Sequence, residues 1–426
     1  MNRRTIFKLS VLLFPGLLAG GAMANGFRLA DQDAFATGRG EAFVATADNP
    51  SAVYYNPAGI TQLPGLQARG GFYGICYDQS YVSTKPANAG SEYHSGYSCA
   101  VVPQFFCTCT PEAGSVTFGL GLYAPYGGAM SWPEDTGFRT DGLKSSLTYL
   151  TFNPVVAFRV LPSLSLAAGV MANYGQVKLE QGILANYNAP FYNFFRFKGC
   201  NWAVSYNGGV LWQPVQQLSF GATIRSPATF KMEGETTFVL PPGTPTTQHR
   251  NAHAYFKFPL TTTFGVSCRP TPQWNLEFNA DYTDWSSMGR VVIYQQTPPA
   301  IPNGINQNPP VNLYWRESWM YSFGVTRYFD NGWHASAGYV YNESSVPDEY
   351  YAPLVSDLDR HFISAGLGHK GKRFSFDVAY QFGYGPPHTV VGSRPSSQAS
   401  SLSGQTADGT YEFISHAAIV SVGMNF

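Results

Sequence analysis

Side-chain catalysis needs a nucleophile, a base and a group that orients the base. None of the eight histidines lies in a catalytic or metal-ligating spacing, and no Gly-x-Ser-x-Gly occurs. Gly366-Leu367-Gly368-His369-Lys370-Gly371 matches Gly-x-Gly-x-x-Gly, but it closes an alternating segment at a tight turn and opens no helix, so a dinucleotide site is rejected. Cys107-Thr108-Cys109 lacks zinc-ligand spacing, and no second pair completes a site. No catalytic residue, metal or cofactor is therefore expected. The distinctive groups are apolar: Phe191, Tyr192, Phe194 and Phe195 in one connection, Phe238 and Leu240 in another. Exposed apolar connections mark either a surface that captures a hydrophobic ligand or packing over a mouth. Pro125, Gly127 and Gly128, around Tyr126, form a different group, which breaks ladder bonds and permits a bend at the end of a strand.

The elements that carry these residues begin after an export signal. Arg3, Arg4 and Lys8 precede the apolar run 9–21, and Ala22-Met23-Ala24 supplies a small-x-small cleavage site, so residues 1–24 read as a signal peptide. The run is shorter than the ~20 residues a membrane helix needs and contains Pro15. No Cys follows the cleavage site to take a lipid anchor. Loss of three basic residues leaves 26 − 3 = 23 Lys+Arg against 26 Asp+Glu, a balance that argues against nucleic acid. Only 12% of residues are charged, about half the ~25% of soluble domains, and no apolar stretch after the signal is long enough for a membrane helix. Alternating strands with one face in lipid and one in a polar lumen reconcile these facts.

That alternation recurs along the chain. Trp274, Leu276, Phe278, Ala280 and Tyr282 interleave with Asn275, Glu277, Asn279 and Asp281; Phe374, Phe376, Val378, Tyr380 and Phe382 interleave with Ser375, Asp377, Ala379 and Gln381. About fourteen such segments are expected, near 66–78, 98–108, 115–127, 147–160, 164–180, 197–213, 217–232, 250–268, 273–285, 312–329, 332–342, 358–370, 373–385 and 410–426. Their connections alternate long and short, the sorting of an outer-membrane barrel with short periplasmic turns. The chain ends on an amphipathic strand closing at Phe426, which resembles the signal read by the barrel-assembly machinery. Trp132, Trp212, Trp285, Trp315 and Trp333 at strand ends are expected to form an interfacial girdle. For Cys76, Cys99, Cys107, Cys109, Cys200 and Cys268, small apolar strand residues and one disulfide near the Cys76–Cys99 hairpin both stay open.

Residues 25–65 do not alternate, yet carry Phe27, Leu29, Phe35, Phe43, Val44, Val53, Tyr54 and Tyr55, too many apolar groups to leave in water. A barrel of this size encloses more space than its side chains fill, so this segment is expected to plug the lumen, with residues 66–426 forming the wall. The whole is an all-β, transmembrane antiparallel barrel with an N-terminal hatch.

Asn25-Gly26-Phe27, Gly38-Arg39-Gly40-Glu41-Ala42 and Asp48-Asn49-Pro50-Ser51-Ala52-Val53-Tyr54-Tyr55-Asn56-Pro57-Ala58-Gly59-Ile60 resemble the hatch of the long-chain fatty acid transporter family (FadL/TodX type). Asp281-Tyr282-Thr283-Asp284-Trp285-Ser286 and Ser356-Asp357-Leu358-Asp359-Arg360 extend the resemblance down the chain. It implies a fourteen-stranded barrel that takes up fatty acids or other hydrophobic compounds, captured by outer loops and released past the hatch, sideways beside a kinked third strand. It also implies gating by Phe27, Asn56, Pro57 and Ala58, the kink at Pro125 to Gly128, and a basic residue, Arg316, near the pocket for a carboxylate. The partners implied are hydrophobic small molecules, outer-membrane lipid and lipopolysaccharide. A general diffusion porin is the alternative, as is an adhesin or structural barrel; an open pore has no use for forty apolar-rich residues in its lumen.

Overall fold

The computed structural model describes residues 25–426 apart from 97, 112–113, 187–191, 241–246, 297–309 and 356. The expected signal peptide lies outside the described residues. Fourteen antiparallel strands form a closed wall, as the alternation predicted. They are β1 Gly65–Ser83, β2 Ser98–Thr110, β3 Val116–Tyr123 resumed at Gly127–Ser131, β4 Lys144–Leu161 and β5 Leu164–Gln181. Then come β6 Phe194–Val215, β7 Leu218–Arg225 resumed at Ala228–Val239, β8 Thr247–Phe258 resumed at Thr261–Thr271, and β9 Trp274–Thr283 resumed at Arg290–Gln295. The last are β10 Pro310–Asn312 resumed at Ser318–Tyr328, β11 Trp333–Asn342, β12 Arg360–Lys370, β13 Phe374–Val390 and β14 Gly409–Asn425. Closure comes from β14 on β1, in register from Gln67↔Asn425 to Ser83↔Gly409. Every backbone group along that seam finds a partner, which is what a lipid-exposed wall demands.

Strand parity sorts the side chains. On β6, Trp202, Val204 and Tyr206 are 60–63% exposed toward the membrane, whereas Ala203, Ser205 and Asn207 are buried. The inward set is polar and satisfied: Asn153 exchanges amide bonds with Asn207 at 3.2 and 3.0 Å, and Asn173 donates to Ser205 at 2.8 Å. Asp281, Glu277 and Asp377, read as lumen residues, are all buried inside.

Three expectations are corrected. Trp132, Trp285 and Trp315 are not girdle residues; they are 3%, 0% and 3% exposed and fill the outer half of the lumen. Trp285 opens the short turn that interrupts β9 and keeps the inward, odd parity of Asn275, Glu277, Asn279 and Asp281. Trp212 is exposed and Trp333 half-buried, and exposed Trp202 and Trp274 stand outside as well. Strand β3 does not end at Pro125 but breaks over 124–126 and resumes. The segments with Phe194, Phe195 and Phe238 are strand ends rather than free loops. Of the cysteines, Cys76 and Cys99 are bonded to each other, and they face each other in register across β1 and β2. The other four are free.

Residues 25–63 fill the lumen with two short helices, Ala34–Gly38 and Ala52–Tyr55, and a 3-10 turn, Pro57–Gln62. Wall glycines let this hatch approach backbone to backbone. A Cβ on Gly38 would sit 2.8 Å from the Cα of Gly366, and one on Gly221 would sit 2.2 Å from the carbonyl of Val44. The false nucleotide motif thus supplies, in Gly366, a close-approach position on β12.

Candidate functional site

The site is built around the break in β3. Pro125 has no N–H to give a ladder. On the β4 side the register moves from Tyr123↔Thr151 to Gly127↔Thr148, so 127 − 123 = 4 residues of β3 oppose 151 − 148 = 3 of β4. One extra residue bulges. On the other side β2 pairs with β3 only from Phe105↔Leu122 to Cys109↔Phe118, and residues 98–104 of β2 have no partner on β3. The wall is therefore unladdered beside Tyr126, Gly127 and Gly128.

The hatch takes the missing strand's place at the kink. Leu29 donates its N–H to the carbonyl of Pro125 at 2.9 Å, and Gly127 donates to the carbonyl of Phe27 at 2.9 Å. Arg28 lies between them, bridged to Tyr126. Its guanidinium grips Asp281 of β9 through two bonds of 2.5 Å, and Thr263 holds the same carboxylate at 2.6 Å. A bidentate pair of this kind fixes position as well as charge. A cavity of about 30 Å³, room for roughly one water, remains at the gap between Leu29, Val101, Tyr126, Gly127, Leu147 and Tyr149.

Above the kink the lumen is aromatic. Tyr126 meets Tyr149 and Phe258 at ring distances of 5.0 Å, and Tyr149 meets Phe230 at 5.3 Å. Trp285 and Trp315 lie 5.2 Å apart, with Phe27 of the hatch 5.4 Å from Trp315. Such a surface receives an apolar body without demanding specific hydrogen bonds.

Asn56, Pro57 and Ala58 form the hatch's other fastening. The buried Asn56 amide donates to the carbonyls of Val44 at 2.8 Å and of Val210 on β6 at 2.9 Å, and its oxygen accepts from Ala58 at 3.1 Å. Gly209 clears the space, for a Cβ there would lie 2.9 Å from the Pro57 ring. Between the two fastenings, burial raises the carboxyl groups of Asp31 and Glu41, and proximity to Asp31 raises Glu41 further. Tyr55 donates to Glu41 at 2.7 Å. Below, Arg69 of β1 joins hatch Asp33 to Asp377 of β13, the latter at 2.7 Å, and His334 meets Asp377 at 2.6 Å. This network borders a cavity of about 260 Å³ at the periplasmic end, with Phe35, Tyr328 and Trp333 in its walls.

The remaining expected residues fall elsewhere. Phe191 lies outside the described residues. Tyr192 is 50% exposed on the outer rim, but Phe194, Phe195, Phe238 and Leu240 are covered, so they are not an open capture surface. Phe195 packs on Phe238 at 4.8 Å because the two face each other in register inside the wall. Arg316 does not stand in the aromatic lumen; it is exposed at an outer polar cavity with Asp348, Asp357 and Asp359, which repel a carboxylate. The sequence reading missed the Arg28–Asp281 clasp. Its one signal was an arginine, one of two in an apolar-rich leader, set against a strand whose inner face was already read as acidic.

A model of the family described as outer membrane protein transport protein (OMPP1/FadL/TodX) matches residues 16–426. The chain is 24% identical over 437 residues to a long-chain fatty acid transport protein of Escherichia coli O6:H1, covering 90% of this chain and 93% of that one. In fold it is similar to a Pseudomonas aeruginosa FadL homologue, with a TM-score of 0.80 at 18% identity over 94% of this chain and 100% of the other. It is also similar to the Pseudomonas putida toluene transporter TodX, with a TM-score of 0.69 at 15% identity over 95% of this chain and 100% of the other.

Proposed function

The chain belongs to the OMPP1/FadL/TodX family of outer-membrane transport proteins, and on that premise we propose that it is a passive channel for hydrophobic compounds. The compounds are long-chain fatty acids or aromatic hydrocarbons, since long-chain fatty acid is the cargo named for its relative in Escherichia coli and toluene the one named for its neighbour in Pseudomonas putida. The observation that carries this reading is the aromatic lumen that ends at an unladdered wall, closed by the hatch's own first residues. Leu184, Tyr192, Val391 and Leu402 are exposed apolar residues on the outer connections and offer a landing surface. Cargo then displaces Phe27 from the aromatic cluster, and the Leu29–Pro125 and Gly127–Phe27 bonds part. The exit is sideways, because an acyl chain leaving through the β2–β3 gap never enters water. Such a channel forms no covalent intermediate and has no catalytic role.

A porin reading suits the site less well, since the hatch fills the lumen from Asn25 to Leu63 and is buried along most of that length. Cells whose outer membrane offers this chain as the main entry route should accumulate labelled oleate and toluene faster than cells without it. The purified chain should give no steady ion conductance in planar bilayers. Unchanged accumulation together with porin-sized conductance would replace the proposal with a diffusion pore.

A further inference from the structure

On the membrane face of β4, β5 and β6, at their extracellular ends, four cations share one patch. Lys144 and Arg196 face Glu180 in register, one from each side, and one row nearer the membrane Lys178 lies directly opposite Lys198. Glu180 is committed to the outer row: it accepts from Arg196 at 2.6 Å and faces Lys144 at 3.7 Å, while itself only 2% exposed on its side chain. Lys178 and Lys198 have no ion pair among the described residues, and Glu235, opposite Lys198 on β7, does not form one with it. The nearby Lys231–Glu233 pair, 2.7 Å apart, is closed on itself. The patch therefore sets four cations against Glu180 and Glu235.

Like charges directly opposite each other on neighbouring strands destabilise the pair. Two lysines kept there call for an anion between them. The depth of the patch says which anion. Tyr174 and Trp202 face each other four residues further along the same strands, with rings 5.4 Å apart, and Val204 and Tyr206 follow on the lipid side. Four residues of strand place the lysines roughly 13 Å beyond that aromatic pair, at headgroup level rather than in open water. Clustered Lys and Arg at a membrane interface bind anionic headgroups, and Arg held by a carboxylate presents its remaining N–H donors in a fixed direction.

We propose that Lys144, Lys178, Arg196 and Lys198 form a binding site for the phosphate groups of an outer-leaflet glycolipid, lipopolysaccharide, whose acyl chains lie along Trp202, Val204 and Tyr206. The site requires the outer-membrane setting but not the transport reading, and its test measures no transport. Full-length protein in neutral detergent is melted, following loss of its heat-modifiable migration, with lipopolysaccharide, with dephosphorylated lipopolysaccharide and with inorganic phosphate. Lipopolysaccharide should raise the melting temperature of the unaltered chain, and the other two should not. Lys178→Ser/Lys198→Ser should lose that rise, with binding weakened roughly tenfold or more. In lipid-free detergent the same variant should melt at or above the unaltered protein, because the repulsion is gone. Lys178→Arg/Lys198→Arg should keep the lipid-dependent rise. An equal rise in the Ser variant would overturn the site, as would a Ser variant that melts lower without lipid. An equal response to inorganic phosphate or to the dephosphorylated lipid would overturn the assignment to a phosphorylated lipid.

Discussion

Between β14 and β1 the ladder runs unbroken over all of β14 and over β1 from Gln67 to Ser83, whereas between β2 and β3 it stops at Phe105↔Leu122. Glycine does not account for the contrast, since β1 carries Gly70, Gly71 and Gly74 inside the intact seam. The difference lies in Pro125, which cannot donate, and in an alternative partner, the hatch, which bonds the flanking groups of Pro125 and Gly127. Pro103 of β2 lies within the unpartnered stretch, where a missing N–H costs little. An open seam in a barrel thus requires that the freed backbone be paired elsewhere, and here the partner is a segment that can leave.

The continuous wall beside the intact seam, where β13 pairs with β14, should be intolerant of charge on its lipid side. Val378 is 40% exposed and Ala379 8%, and they pair with Val420 and Ile419 of β14. Val378→Arg should cost ~2–4 kcal/mol in liposome refolding if it lies near the midplane, and Ala379→Ser should cost little. A larger polar group at Ala379 would meet the hatch at Gly38, so its tolerance ends at serine. Equal yields for Val378→Arg and Ala379→Ser would show that the parity is wrong.

Restoring the open seam is the reverse operation. With Pro125, Gly127 and Gly128 all replaced by Val, β3 should straighten and oleate uptake should fall roughly tenfold, ~1.4 kcal/mol of barrier, while the barrel stays heat-modifiable. The added side chain at Gly127 also reaches Leu29, 3.1 Å away. Undiminished uptake would sink the sideways exit.

Asn56→Ala tests the hatch's fastening to β6. Losing the bonds to Val44 and Val210 should loosen the hatch by ~1 kcal/mol, raising exchange of its amides about fivefold while β14 and β1 amides stay protected. Parallel loosening of wall and hatch would show that the two are one cooperative unit.

The smallest effect concerns pH. Asp31 and Glu41 bind protons more tightly in the folded hatch than in an unfolded one, because burial raises both. Their stabilisation is complete below the ordinary carboxylate range and is lost as pH rises through the raised values. Hatch amides should therefore exchange faster as pH increases, beyond the intrinsic base catalysis seen at wall amides, and Glu41→Gln should flatten that excess. An excess that persists in Glu41→Gln would place the titration elsewhere.

The wall was legible in the sequence because parity is a local property. Trp274 to Tyr282 and Phe374 to Phe382 declare two faces within nine residues each, and sorted connections order the strands without any long-range contact. The hatch was legible as a plug from its surplus of aromatics. What parity could not give was what each inward group meets across the lumen. Arg28 and Asp281 are 253 residues apart, Asn56 and Val210 are 154 apart, and the Phe195–Phe238 contact depends on the register of β6 on β7. Trp285 and Trp315 look like interface residues because they stand near strand ends, yet both turn inward, Trp285 with the inward parity of β9 and Trp315 because β10 is interrupted there. Sequence by itself determined which side of the wall a strand residue takes, since the backbone alternates; only the closed barrel decided its partner, since closure brings distant strands around one lumen.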